Sequence, residues 1–124
     1  MIYLDTHVVV WLYAGQLERF SDELQSLMNE EDLLISPIVQ LELQYLHEIE
    51  RITDDAQTVL TDLAARIGLR ICDKRFQAVV SQATAVSWTR DPFDRLIVAN
   101  ASLNDNILIS KDQNILDHYS FARW

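Results

Sequence analysis

Four carboxylates in this sequence sit where an ordinary solvated acid would not. Asp5 follows directly on the strand candidate Ile2-Tyr3-Leu4. Asp112 follows the apolar triplet Ile107-Leu108-Ile109 through Ser110-Lys111. Glu42 lies in a predicted helix where Ile38, Leu41, Tyr45, Leu46 and Ile49 recur at the spacing of one apolar face, and it sits inside that stripe. A carboxylate turned toward a core is costly unless it is paired or bound to a cation. The plainer reading of Glu42 is an acid at a ragged stripe margin, relieved by a neighbouring Arg. Asp94 shares a helical face with Ile97, Val98 and Ala101. Its plainer reading is a capping-box acid three positions into a helix that Asp91 caps. Brought together, Asp5, Glu42, Asp94 and Asp112 make an all-oxygen donor set, which selects Mg²⁺ or Mn²⁺ over zinc. All four are therefore candidate metal ligands and candidate catalytic residues. Cys72 and the three His (His7, His47, His118) show no zinc spacing. His7 is the His of interest, two residues from Asp5. No Gly-rich phosphate loop and no dinucleotide fingerprint occurs, and no Ser or Cys nucleophile stands out.

The elements that must position these acids alternate between strands and helices. A helix over residues 7–14 is predicted to stop at Gly15, and Ser21 caps a second with Asp22 and Glu23 in its first turn. Leu33-Leu34-Ile35 reads as a buried strand, and Ser36-Pro37 opens a helix reaching residue 50. Thr53-Asp54-Asp55 opens another that ends at Gly68, followed by a strand at Leu69-Arg70-Ile71-Cys72. Helices over 76–86 and from Asp91-Pro92 to 103 precede the strand at 107–109. A short helix at 113–116 and an edge strand within 120–124 complete the pattern. Such alternation implies a three-layer α/β/α domain spanning 1–124, with a mostly parallel central sheet of four or five strands. Function in such sheets lies beyond the carboxyl ends of the strands, where strand order reverses. Asp5 and Asp112 both fall on that edge.

The 124 residues carry a formal net charge of -9, which taken alone argues against nucleic-acid binding. The objection weakens if many acids share one site, because a bound cation reverses the local field. Arg66, Arg70, Lys74 and Arg75 cluster in the sequence, and Arg90 and Arg95 flank the Asp91–Asp94 motif; solvated helix faces explain them equally well. The single cysteine permits no internal disulfide and suits a cytoplasmic protein. The apolar stretch at residues 8–12 is too short for a membrane span and lacks the flanks of a signal peptide.

Four ordered blocks resemble the PIN-domain ribonucleases of the VapC toxin type. They are Tyr3-Leu4-Asp5-Thr6-His7 with Trp11-Leu12, Ile35-Ser36-Pro37 through Glu42-Leu43, the stretch from Trp88 through Asp91-Pro92-Phe93-Asp94-Arg95 to Ala99, and Leu108-Ile109-Ser110-Lys111-Asp112. The third is the most specific, and the blocks span almost the whole chain. The resemblance implies a Mg²⁺- or Mn²⁺-dependent endoribonuclease that hydrolyses RNA phosphodiester bonds as the toxin of a toxin–antitoxin pair. It implies Asp5, Glu42 and Asp94 as the primary metal acids, with Asp112 completing the site. Thr6 and Ser110 become supporting hydroxyls, and Asp91 either reaches the site or caps its helix. On this reading Arg90 and Arg95 are expected either to contact the RNA backbone or to pair with Asp91 or other acids. A homodimer and a VapB-like antitoxin are also implied. Two alternatives stay open: a phospho-accepting receiver-like signalling domain, and an inactive PIN-like interaction module.

Overall fold

In the computed structural model, which describes residues 1–124, the three apolar triplets form strands where their patterning predicts them, and two short two-residue strands join them. These are β1 (Ile2–Leu4), β2 (Leu33–Ile35), β3 (Arg70–Ile71), β4 (Ile107–Ile109) and β5 (Ala122–Arg123). They make one sheet in the order β3-β2-β1-β4-β5, with every neighbouring pair parallel. All residues of β1 and β2 are buried, so both sheet faces are covered, as a parallel sheet requires. The cover is seven helices: α1 (Thr6–Tyr13), α2 (Asp22–Glu30), α3 (Pro37–Glu48), α4 (Ala56–Ile67), α5 (Phe76–Ala83), α6 (Pro92–Ser102) and α7 (Gln113–His118). No helix is long and apolar enough to cross a membrane.

The helix starts follow from side chains that satisfy orphan backbone donors. Ser21, Ser36, Asp55, Asp91 and Asp112 each accept from backbone N–H groups two or three residues on. Pro37 and Pro92 stand at the first helical position, where no N–H is needed. At its other end α4 closes on Gly68 at φ 70°, in the left-handed region. A methyl group there would meet nothing within 4 Å, so the cost of Gly68→Ala is conformational alone. We expect that variant to lose about 1 kcal/mol of stability in urea unfolding.

Strand order decides between two of the functional classes above. A receiver-type sheet runs 2-1-3-4-5, with its third strand across from the first. Here β3 adds outside β2, and the order reverses between β1 and β4. The receiver-like alternative therefore lacks its architecture.

The expected apolar stripe of α3 is wrong. Leu41, Tyr45 and Ile49 are exposed (58%, 49% and 43%), while Val39 and Leu43 are fully buried. The helix is apolar on two sides, and spacing alone assigned the core to the wrong one. Glu42 lies between these faces, half-buried at the margin. Smaller differences are local. The helix α3 ends at Glu48 because Glu50 takes a left-handed φ of 63° and Arg51 N–H turns back to the Leu46 carbonyl. Leu69 and Cys72 flank β3 without joining it, and α5 stops at Ala83, where short turns carry the chain toward α6.

Candidate metal centre

The register of the sheet builds the centre of the site. Leu4 pairs with Ile109, so the next residues on each strand, Asp5 and Ser110, emerge side by side. Asp5 N–H donates to the Ile109 carbonyl at 3.0 Å, continuing the ladder one step past the strand. Asp5 as a residue is only 9% exposed. Its Oδ2 accepts from Ser110 Oγ at 2.6 Å, and its Oδ1 accepts from the Thr6 backbone N–H at 2.8 Å. That second bond also makes Asp5 the cap of α1, so one acid both starts a helix and faces the crevice.

Three other elements bring acids to the same place. Glu42 hangs from α3, and the buried Thr6 hydroxyl donates to its carboxylate. The N-terminus of α6 carries Asp91 as cap and Asp94 in its first turn. Asp112 caps α7, accepting from Asn114 N–H at 2.8 Å and Ile115 N–H at 3.1 Å. Ser110 Oγ in turn accepts from the Asp112 N–H at 3.1 Å, tying the two wall residues together. One cleft is lined by Asp5, Glu42, Asp91, Asp94 and Asp112, joined by His7, Val8, Trp11 and Lys111.

Three of the crowded carboxylates, Asp94, Glu42 and Asp5, are held above their ordinary values. Asp94 is pushed up to about 7, first by burial and then by the charges of Asp91, Asp5, Asp112 and Glu42. A helix N-terminus favours an anion by roughly 0.3–1 kcal/mol. The opposing rise is worth roughly 2–4 kcal/mol even with allowance for solvent screening, so burial and repulsion prevail. Burial likewise raises Glu42 and Asp5 above the usual carboxylate range. The Thr6 hydroxyl and His7 partly offset this for Glu42; Ser110, the Thr6 N–H and His7 do so for Asp5. No three acids stand at coordination spacing in this conformation. A cation bound among them would have to draw these side chains inward.

The donor set fits a hard divalent ion. Every candidate ligand is a carboxylate oxygen, no thiol or second imidazole shares the cleft, and the acids have no Arg partner there. Replacing Ser110 by Ala should leave the buried Asp5 Oδ2 unpartnered. We expect a loss of about 1–3 kcal/mol in chemical unfolding and a further rise of the Asp5 pKa by carboxyl NMR.

The structure thus brings all four predicted acids, together with Asp91, to one cleft, with Thr6 and Ser110 as the hydroxyls that hold two of them. It does not bring in the arginines. Arg90 donates to the Ser87 carbonyl at 2.7 Å and Arg95 to the Thr89 carbonyl at 2.9 Å, and both lie outside the cleft lining. The basic cluster of the sequence also disperses. Arg66 pairs with Asp62, Arg70 pairs with Asp32, and Lys74 turns inward to the Asn100 carbonyl. Sequence reasoning gave no role to Trp11, which borders the acids; only its place one helical turn after His7 signals this.

The family profile described as PIN domain matches residues 2–122. The chain belongs to the PIN domain family. Among solved structures, this PIN domain is similar to a chain of VapBC2 from Rickettsia felis bound to a DNA fragment from their promoter. The two share 22% identity and a TM-score of 0.66 over 94% of this chain and 92% of that one. A chain of a toxin–antitoxin complex from Klebsiella pneumoniae aligns at 16% identity and a TM-score of 0.67, covering 100% of this chain and 97% of that one. A chain of DNA-bound VapBC from Salmonella typhimurium aligns at 17% identity and a TM-score of 0.62, covering 98% and 94%. At these identities the likeness speaks to the fold. No curated protein sequence gives a match.

Proposed function

We propose that this PIN domain is a Mg²⁺- or Mn²⁺-dependent endoribonuclease, acting in the cytoplasm as the toxin of a toxin–antitoxin pair. The observation that carries the reading is the single cleft lined by five carboxylates from four separate stretches of chain. Asp5, Glu42, Asp94 and Asp112 hold the ion, and Asp91 reaches the same space while capping α6. When bound, a hard divalent cation supplies an activated water and offsets charge on the phosphate. The chain's own part is orientation. Ser110 and the Thr6 N–H fix Asp5, the Thr6 hydroxyl fixes Glu42, and two helix N-termini fix Asp91 and Asp112. These bonds fix the rotamers of Asp5, Glu42, Asp91 and Asp112, so the adjustment left on ion binding is a short inward movement of the set.

The complexes that share the fold support a VapB-like antitoxin as partner. The exposed Leu41 and Tyr45 of α3 and Ile49 just beyond it, with Phe76 of α5 (66% exposed), support a homodimer that covers them. An inactive PIN-like module is not favoured, since no acid of the set is missing. Induced expression in a bacterial host should arrest growth and fragment cellular RNA, and Asp5→Asn should do neither. A soluble wild-type chain that leaves growth and RNA untouched would sink the toxin reading.

A further inference from the structure

On a chain of net charge -9, the cations near the acidic cleft are few and oddly placed. The Lys111 side chain lines the cleft, and its Nζ lies over the Trp124 ring at 5.6 Å. The Arg19 guanidinium lies over Trp11 at 4.8 Å, and Trp11 borders the cleft as well. The two indoles meet edge to face at 5.5 Å, with Phe20 packed behind both. Neither cation is paired with a carboxylate, although acids outnumber bases by 19 to 10 and five acids stand beside Lys111. Trp11 and Trp124 are half-buried, while Arg19 and Lys111 are exposed.

Two cations resting on two indole rings, Lys111 and an Arg19 whose Nε donates to Gln16 but which has no carboxylate partner, are the ingredients of single-strand recognition. Aromatic faces stack bases regardless of sequence, and the cations neutralise phosphates. An exposed cation–π contact is worth only about 0.5–1 kcal/mol, so either cation can leave its ring for a phosphate as a base takes the face. We infer that Trp11, Trp124, Arg19 and Lys111 form a shelf on one side of the acidic cleft that binds the single-stranded RNA flanking the scissile phosphate. This inference rests on the nuclease reading and replaces Arg90 and Arg95 as the principal backbone contacts.

The test uses the full-length protein with Mg²⁺ and two fluorescein-labelled probes, each about a dozen nucleotides long. One is single-stranded RNA; the other has the same sugar-phosphate length with abasic sites. Binding is read by anisotropy, with intact probe verified on a gel. Trp124→Ala should weaken RNA binding by fivefold or more while leaving the abasic probe unchanged, and Trp124→Phe should restore most of the loss. Arg19→Ala, on an exposed 3-10 turn (Leu17–Arg19) away from the core, should flatten the slope of log affinity against log salt by about 0.7. Trp124→Ala and Arg19→Ala proteins that match wild type on RNA overturn the shelf alone. Wild type that binds neither probe overturns the shelf and the nuclease reading together.

Discussion

Asp94→Asn protein should resist unfolding better than wild type at about pH 8 without metal, by on the order of 2 kcal/mol, while its RNA-cleaving activity falls by about 10²–10³-fold. The two effects have one cause. In the folded chain Asp94 holds its proton up to about pH 7 because burial and four neighbouring acids oppose its charge. In the unfolded chain it releases that proton near its ordinary value of 3.8. Below that value both states are protonated and Asp94 contributes nothing to the difference. Between about 4 and about 7 the folded state holds more protons than the unfolded one, so stability falls as pH rises. Above about 7 the full penalty of the charge is present, and Asn removes it. The gain should therefore vanish at about pH 4, which separates it from a general packing effect. Asp5 and Glu42 are raised in the same direction, so the metal-free wild type should itself be more stable on the acidic side. Urea unfolding of both proteins at the two pH values measures this; equal midpoints at the alkaline value would show that Asp94 is not under electrostatic strain.

Divalent cations should reverse that penalty in the wild type. A ligand present at a hundred times its Kd stabilises the folded state by about 2.7 kcal/mol, which for a chain of this size raises Tm by about 10 °C. RNA affinity should rise with it, since bare carboxylates repel phosphates and a bound cation reverses the local field. Chelator should lower Tm, RNA affinity and cleavage together. A Tm and an RNA affinity both indifferent to millimolar Mg²⁺ or Mn²⁺ would contradict the metal centre. The Asp94→Asn variant should show a smaller Tm gain than wild type, because part of the strain that the cation relieves is already gone.

Much of this was legible in the residues. The three inner strands stand out as apolar triplets, and the helix starts as Ser-Pro, Asp-Pro and paired acids, because capping chemistry is local. Asp5 and Asp112 could be set on one edge of the sheet from their position after strands alone. The sequence places Asp94 both in the first turn of its helix and beside the apolar Ile97, Val98 and Ala101, which are buried in the fold. Glu42 reached the cleft for a different reason than its pattern implied. The stripe containing Leu41 and Tyr45 faces outward, and Glu42 is held at a margin by the Thr6 hydroxyl, a contact 36 residues away in the chain that no periodicity encodes. The same limit hid the cations. Arg90 and Arg95 looked like phosphate contacts because they flank Asp91 and Asp94, yet they anchor loop carbonyls. Lys111 and Arg19 lie over Trp124 and Trp11, rings from opposite ends of the chain whose meeting no local pattern encodes.

The most direct measurement is Mn²⁺ binding followed by calorimetry on wild type, Asp5→Asn and Glu42→Gln, with folding of each verified by circular dichroism. Acids from separate segments acting as one ligand set predict saturable binding to wild type and at least about tenfold weaker binding to each folded variant. Folded variants that bind Mn²⁺ as tightly as wild type would show that these carboxylates do not share an ion.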